Sequence, residues 1–135
     1  MKQKVQVWIH RPGPEVLILL TRPDRGGFWQ PVTGGVESGE RPVAAALREA
    51  SEESGLSFTE EPQALDFEFT FEREGETLRE FTFGLRAPGG KASIRLDSHE
   101  HVDSRWVTPE VALGMLKHES NAQALKKLLL ILNKR

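Results

Sequence analysis

Glu49, Glu52 and Glu53 are the residues from which a chemistry can be read most directly. On a helix they fall at i, i+3 and i+4, so the three carboxylates share an arc of roughly 100°. Like charges at that spacing repel by about 0.2–0.5 kcal/mol per pair. Val43, Ala46, Leu47 and Ala50 form the adjoining apolar arc. The carboxylates are therefore expected at the border of a buried face, where they need a counter-charge. Hard oxygen donors suit Mg²⁺, with Mn²⁺ as a substitute. The competing reading of the three glutamates alone is a solvated acidic helix with Arg48 as a partial partner.

The flanking residues favour the first reading. Gly34, Glu40, Arg48, Glu49, Glu52, Glu53, Gly55 and Leu56 stand in the segment GGVESGERPVAAALREASEESGL. This resembles the Nudix box, G-x5-E-x7-R-E-U-x-E-E-x-G-U with U aliphatic; Ala50 stands where a larger aliphatic residue is more common. The resemblance implies an α+β domain with a mixed sheet between helices. It also implies hydrolysis of a nucleoside diphosphate linked to another group. Glu49, Glu52 and Glu53 would hold the metal, with the Gly34 carbonyl and Glu100 as further ligands. Glu52, Glu53, Glu100 and Arg48 would form the catalytic set, Arg48 by orienting the carboxylates. The general base is then either a box glutamate or Glu100, in Ser98-His99-Glu100-His101.

The stretch from Thr21-Arg22-Pro23-Asp24 to Phe28-Trp29-Gln30-Pro31 is similar to a Nudix subgroup acting on a pterin triphosphate and dATP. Arg22, Trp29, Gln30 and Glu40 are the expected substrate-facing residues, Arg22 on phosphate and Trp29 stacked on the ring. Phe28 reads rather as core. A dinucleoside polyphosphate or RNA-cap hydrolase of the same fold stays open, as does a nucleotide-binding module without turnover.

The elements that must position these groups follow from pattern. Val5, Val7 and Ile9 alternate with mostly polar residues, which predicts a strand. Pro12-Gly13-Pro14 is a turn, and Val16 to Leu20 reads as a strand covered on both faces. A helix is expected over Glu40 to Ser54, with Pro42 in its first turn and Gly55 just past its end. Leu65, Phe67, Phe69 and Phe71 alternate with polar residues, and Phe81 to Leu85 returns after a turn at Gly75. Val102 to Val107 reads as a further strand. Helices are expected after Thr108 and from about Ser120 to Leu132.

Composition bounds the remainder. The 135 residues carry a net charge of −2, are 38% hydrophobic and include no cysteine. This fits one domain, residues 1–135, and excludes disulfide frameworks and thiolate chemistry. The charge balance and the absence of a large basic patch argue against a nucleic-acid partner. The longest aliphatic run, Leu128 to Leu132, falls far short of the roughly 18 residues that cross a bilayer, and Val5 to Ile9 is too short for a signal segment. A cytoplasmic enzyme acting on a small triphosphate is expected, monomeric or homodimeric. His99 and His101 show no third zinc ligand and read as polar loop histidines. His10 and His118 have no partner pattern. Gly89-Gly90-Lys91-Ala92 lacks the upstream glycine of a phosphate loop.

Overall fold

The computed structural model describes residues 2–90 and 93–134. Lys91 and Ala92, in the glycine tract above, lie outside the described residues. The strands are β1 (Lys2–Arg11), β2 (Glu15–Thr21), β3 (Trp29–Gln30), β4 (Val32–Gly35), β5 (Gln63–Arg73), β6 (Glu76–Arg86) and β7 (His101–Val107). The helices are α1 (Pro42–Ser54), α2 (Pro109–Met115) and α3 (Glu119–Leu132), with a short 3-10 turn at Pro23–Arg25. The mixed α+β architecture expected from the sequence is what the chain adopts.

The main sheet runs β3-β2-β1-β6-β5, with β4 paired to β1 and β7 paired to β2. β1 is its axis. One edge of β1 runs parallel to β6 from Lys2↔Leu78 to His10↔Arg86. Its other edge is divided: Lys4 to Val7 pair antiparallel with β4, while His10 and Arg11 pair with the start of β2. This places Gly34 and Gly35 beside Val5 and Lys4, directly ahead of α1.

Because β1 lies between layers, both of its faces are buried. Val5, Val7 and Ile9 join Leu17, Leu19, Ala45, Ala46 and Ala50 in a core under α1. Trp8 joins Val16, Ile18, Leu65, Ala124, Leu125 and Leu128 in a second core under α2 and α3. Val16 to Leu19 feed both cores, as a strand covered on both faces should. In β1, the polar neighbour Gln6 is itself fully buried (0% exposed), which the alternation did not foretell. The alanine run lets α1 sit close to the sheet.

Two elements went unread. β3 and β4 are short and rich in glycine and proline, so no period-two run marks them. Helix α1 starts at Pro42, not Glu40; Glu40 stays in the preceding turn. β5 keeps the expected alternation but carries a register shift between Ala64 and Glu68.

Candidate active site

Helix α1 is bounded by Pro42 at its first turn and by Gly55 at its end, where φ is 73° and the amide donates to the Ser51 carbonyl. Burial of Ala45, Ala46 and Ala50 sets the helix rotation. That rotation turns Glu53 inward, to 4% exposure, half-buries Glu49 and leaves Glu52 outside. The three carboxylates line one cavity of about 780 Å³ together with Gly34, Asp97 and Glu100. Lys4, Arg25 and Arg73 also reach it.

Arg48 is the brace of this segment. Its Nε and Nη2 donate to Glu40 Oε2 and Oε1, both at 2.9 Å, and Nη2 also donates to the Gly35 carbonyl at 2.9 Å. Its Nη1 lies 3.6 Å from Glu49 and 3.5 Å from Glu52. The expected orienting role of Arg48 therefore has its geometry. Glu40 is held down to a pKa of about 2 by the Arg48 hydrogen bond, and Oε1 accepts the Glu37 amide as well. With both oxygens engaged, Glu40 clamps the loop to the helix, and it also lines the cavity.

The remaining carboxylates point to a cation. Burial first, then the neighbouring Glu49, Glu100, Asp97 and Glu52, push the Glu53 pKa up to about 9. Burial likewise raises Glu49 to about 7, against the pull of Arg48. Glu53 Oε1 is buried and has no hydrogen-bond partner among the described residues. At Gly34, a Cβ would fall 1.6 Å from Glu49 Oε2, so only glycine leaves that carboxylate its place against the loop. These are properties of a donor set awaiting a hard divalent ion, and the residues present fit one. Among the described residues, no three acidic or histidine side chains already converge tightly on one point, so the ion would gather Glu49, Glu52 and Glu53 around itself.

Glu100 lines the same cavity from the turn ahead of β7, 3.8 Å from Arg25. Asp97, on that turn, was missed. Its backbone carbonyl accepts the amides of Glu100 and His101, and nothing in the sequence but proximity to Glu100 marks it. His101 was read as a polar loop histidine, yet it is 2% exposed. Its Nδ1 faces Glu53 Oε1 at 3.4 Å, and its Nε2 meets the Gln30 amide nitrogen at 3.1 Å. The Gln30 nitrogen donates to Nε2 in the neutral tautomer that carries its proton on Nδ1. Burial lowers the His101 pKa to about 4, which keeps the ring neutral.

The other substrate-facing residues are redistributed. Trp29 packs on the core under α2 and α3, with Arg105 over its ring at 5.1 Å, and lines neither this cavity nor the next. Arg22 pairs with Asp24 at 3.0 Å; the cation of that loop that reaches the carboxylates is Arg25. Phe28, read as core, lines a second cavity of about 490 Å³ with Gln30, Phe69, Phe71, Glu80 and Asn121. His118 packs edge-on against Phe28 at 4.9 Å. Lys4, Thr33 and Arg73 line both cavities, so the two adjoin.

The site is thus an acidic loop–helix–loop against a mixed sheet, beside an aromatic cavity. Residues 2–129 match the NUDIX domain, and the chain belongs to the Nudix hydrolase family. It is 35% identical over 140 residues to a dihydroneopterin triphosphate diphosphatase of Haemophilus influenzae, covering 94% of this chain and 87% of that protein. It is 39% identical over 123 residues to a Myxococcus xanthus protein named octanoyltransferase, covering 85% of this chain but only 33% of that one. The chain thus spans about a third of that longer relative. Among solved structures, the Escherichia coli dihydroneopterin triphosphate pyrophosphohydrolase superposes with a TM-score of 0.76 at 29% identity, over 93% of this chain and 92% of that one.

Proposed function

We infer that the chain is a metal-dependent pyrophosphohydrolase. Its substrate is a nucleoside or pterin triphosphate of the dihydroneopterin triphosphate or dATP kind, and its products are the monophosphate and pyrophosphate. The observation that carries this reading is the buried Glu53 carboxylate, whose Oε1 has no hydrogen-bond partner among the described residues, beside Glu49 and Gly34 at the wall of a cavity that adjoins an aromatic one.

Glu49, Glu52, Glu53 and the Gly34 carbonyl would hold Mg²⁺, with Mn²⁺ as a substitute. When bound, the ion neutralises phosphate oxygens and sharpens the attacking water. The chain's own residues do the rest. Arg48 holds the helix to the Gly35 loop through Glu40. Lys4, Arg25 and Arg73 counter the phosphate charge along the cavity. Glu52 and Glu100, both about half exposed on opposite sides of the cavity, are positioned to take the proton from water. Among the described residues, no helix is long and apolar enough to cross a membrane.

The test is pyrophosphate release from dihydroneopterin triphosphate and dATP with Mg²⁺ and with chelator. Release that survives the chelator would refute metal dependence, and orthophosphate as the product would refute the cleavage position. A dinucleoside polyphosphate or capped RNA substrate would instead announce itself in the product masses.

A further inference from the structure

Two acidic residues of the cavity, Asp97 and Glu100, come from outside the box segment, on the connection that leads from β6 to β7. Glu100 is the harder of the two to hold in place. Its side chain is 48% exposed, so packing does not fix it, and Arg25 approaches it only at 3.8 Å. A group that is to act on one atom of a substrate needs a defined position, and here the backbone must supply it.

The connection is fastened to the end of the box helix. The Arg95 amide donates to the Ser54 carbonyl at 2.7 Å, in the last turn of α1. Ile94 and Leu96, on either side, pack against the core beneath that helix. A Cβ on Gly55 would fall 2.7 Å from the Arg95 Cβ, so a glycine after the helix also leaves room for this crossing. Two residues further on, Asp97 gathers the chain into a turn. Its Oδ1 accepts the His99 amide at 3.0 Å, and its carbonyl accepts the Glu100 and His101 amides, both at 3.0 Å. Three successive amides thus end on one residue. A short carboxylate that takes the amide two residues ahead fixes the chain in a turn. Beyond it, the Glu100 carbonyl accepts the Arg22 amide at 3.3 Å, and His101 pairs with Thr21. Glu100 is therefore tied on one side to the helix of Glu49, Glu52 and Glu53, and on the other to the end of β2.

We propose that Asp97 is a positioning residue for Glu100: by closing this turn from a connection anchored on the end of α1, it fixes the reach of Glu100 toward the box carboxylates. The competing role for a carboxylate on this cavity is a further cation ligand. The two roles separate chemically, because asparagine keeps an oxygen that accepts the His99 amide and loses the charge. The inference rests on the hydrolase reading for the part Glu100 plays in the reaction; the turn itself is measured without turnover.

Amide exchange followed by NMR on the metal-free full chain reads the turn, and pyrophosphate release from dihydroneopterin triphosphate with Mg²⁺ reads its consequence. In D97A the amides of residues 99–101 should exchange about tenfold faster or more, with those of α1 unchanged. Its kcat should fall about tenfold with KM within about twofold. D97N should stay within about threefold of wild type on both counts. D97S, whose hydroxyl makes the same turn more weakly, should fall between them and carries the test if D97A does not fold. E100Q should lower kcat about 100-fold, and D97A added to it should cost less than about twofold more, since the two act as one unit. D97N as impaired as D97A, full additivity with E100Q, or unchanged exchange in D97A would overturn the proposal. Wild-type activity in E100Q would do the same, by leaving Asp97 nothing to position. Absence of pyrophosphate release from any triphosphate by the unsubstituted chain would sink the hydrolase reading instead, and the exchange pattern would then decide on the turn alone.

Discussion

The two adjoining cavities are made in different ways. The acidic one takes all its box residues, Gly34, Glu40, Glu49, Glu52 and Glu53, from one stretch of chain, and adds Asp97 and Glu100 from the turn ahead of β7 and the cations Lys4, Arg25 and Arg73. The aromatic one takes its residues from β1, the loop before β3, β3, β4, β5, β6 and α3. A cation site needs several oxygens at close quarters, and one helix turn supplies them at short spacing. A ring-shaped slot needs walls facing each other, which no single element provides. Reaction chemistry and ring choice are thus encoded at different ranges along the chain.

The contrast can be broken first at its acidic end. E53Q is expected to lower kcat/KM by about 100-fold or more, measured as pyrophosphate release, because it removes a metal-facing charge from a buried position. Activity within a few-fold of wild type would remove Glu53 from the centre of the site. Next comes a glycine pair. G34A drives a methyl into the Glu49 carboxylate and should cost about tenfold or more in activity, whereas a Cβ on Gly35 meets nothing within 4 Å and G35A should stay near wild type.

At the aromatic end, F28L should raise KM about fivefold with kcat little changed, while W29L should leave KM within about twofold and lower Tm instead. The reverse ranking would restore Trp29 as the stacking residue. A smaller effect belongs to Arg48. R48A should lower Tm by a few degrees, and adding E40A should lower it little further, since the two share one interaction.

The mildest test concerns pH. Glu53 and Glu49 have folded pKa values raised to about 9 and about 7. The folded chain then holds protons that the unfolded chain has released, so stability falls as pH rises through that window. Without divalent ions, Tm should decline from about pH 6.5 to about pH 8.5, and Mg²⁺ should raise it more at the upper end. E53Q should flatten the decline; an equally steep one would point to other groups.

These differences also explain what was legible from the residues. The box glutamates, Arg48 and the helix bounds Pro42 and Gly55 were readable because their meaning is local. Glu100 was readable through the resemblance, and the structure sets it on the same cavity. Trp29 and Phe28 were exchanged because a strand of two residues gives no period from which to assign faces. Gln6, Glu80 and Asn121 were silent for another reason. A buried polar residue looks like a surface one until its partner is known, and here Gln6 and its partner stand 74 residues apart. His101 was underrated on the same grounds: its neighbours Gln30 and Glu53 come from distant segments.

The parallel ladder between β1 and β6 bears on how the protein is made. β1 is synthesised early, yet the strand that covers its long edge arrives only after α1 and the β5 hairpin arm. Pairings of such separation close slowly, since loop entropy is lost before contacts compensate it. A nascent chain that has just completed α1 therefore carries every glutamate of the box on a sheet axis still bare along one edge. Docking of β6 supplies Glu80 to one face and the Phe83 and Leu85 packing to the other.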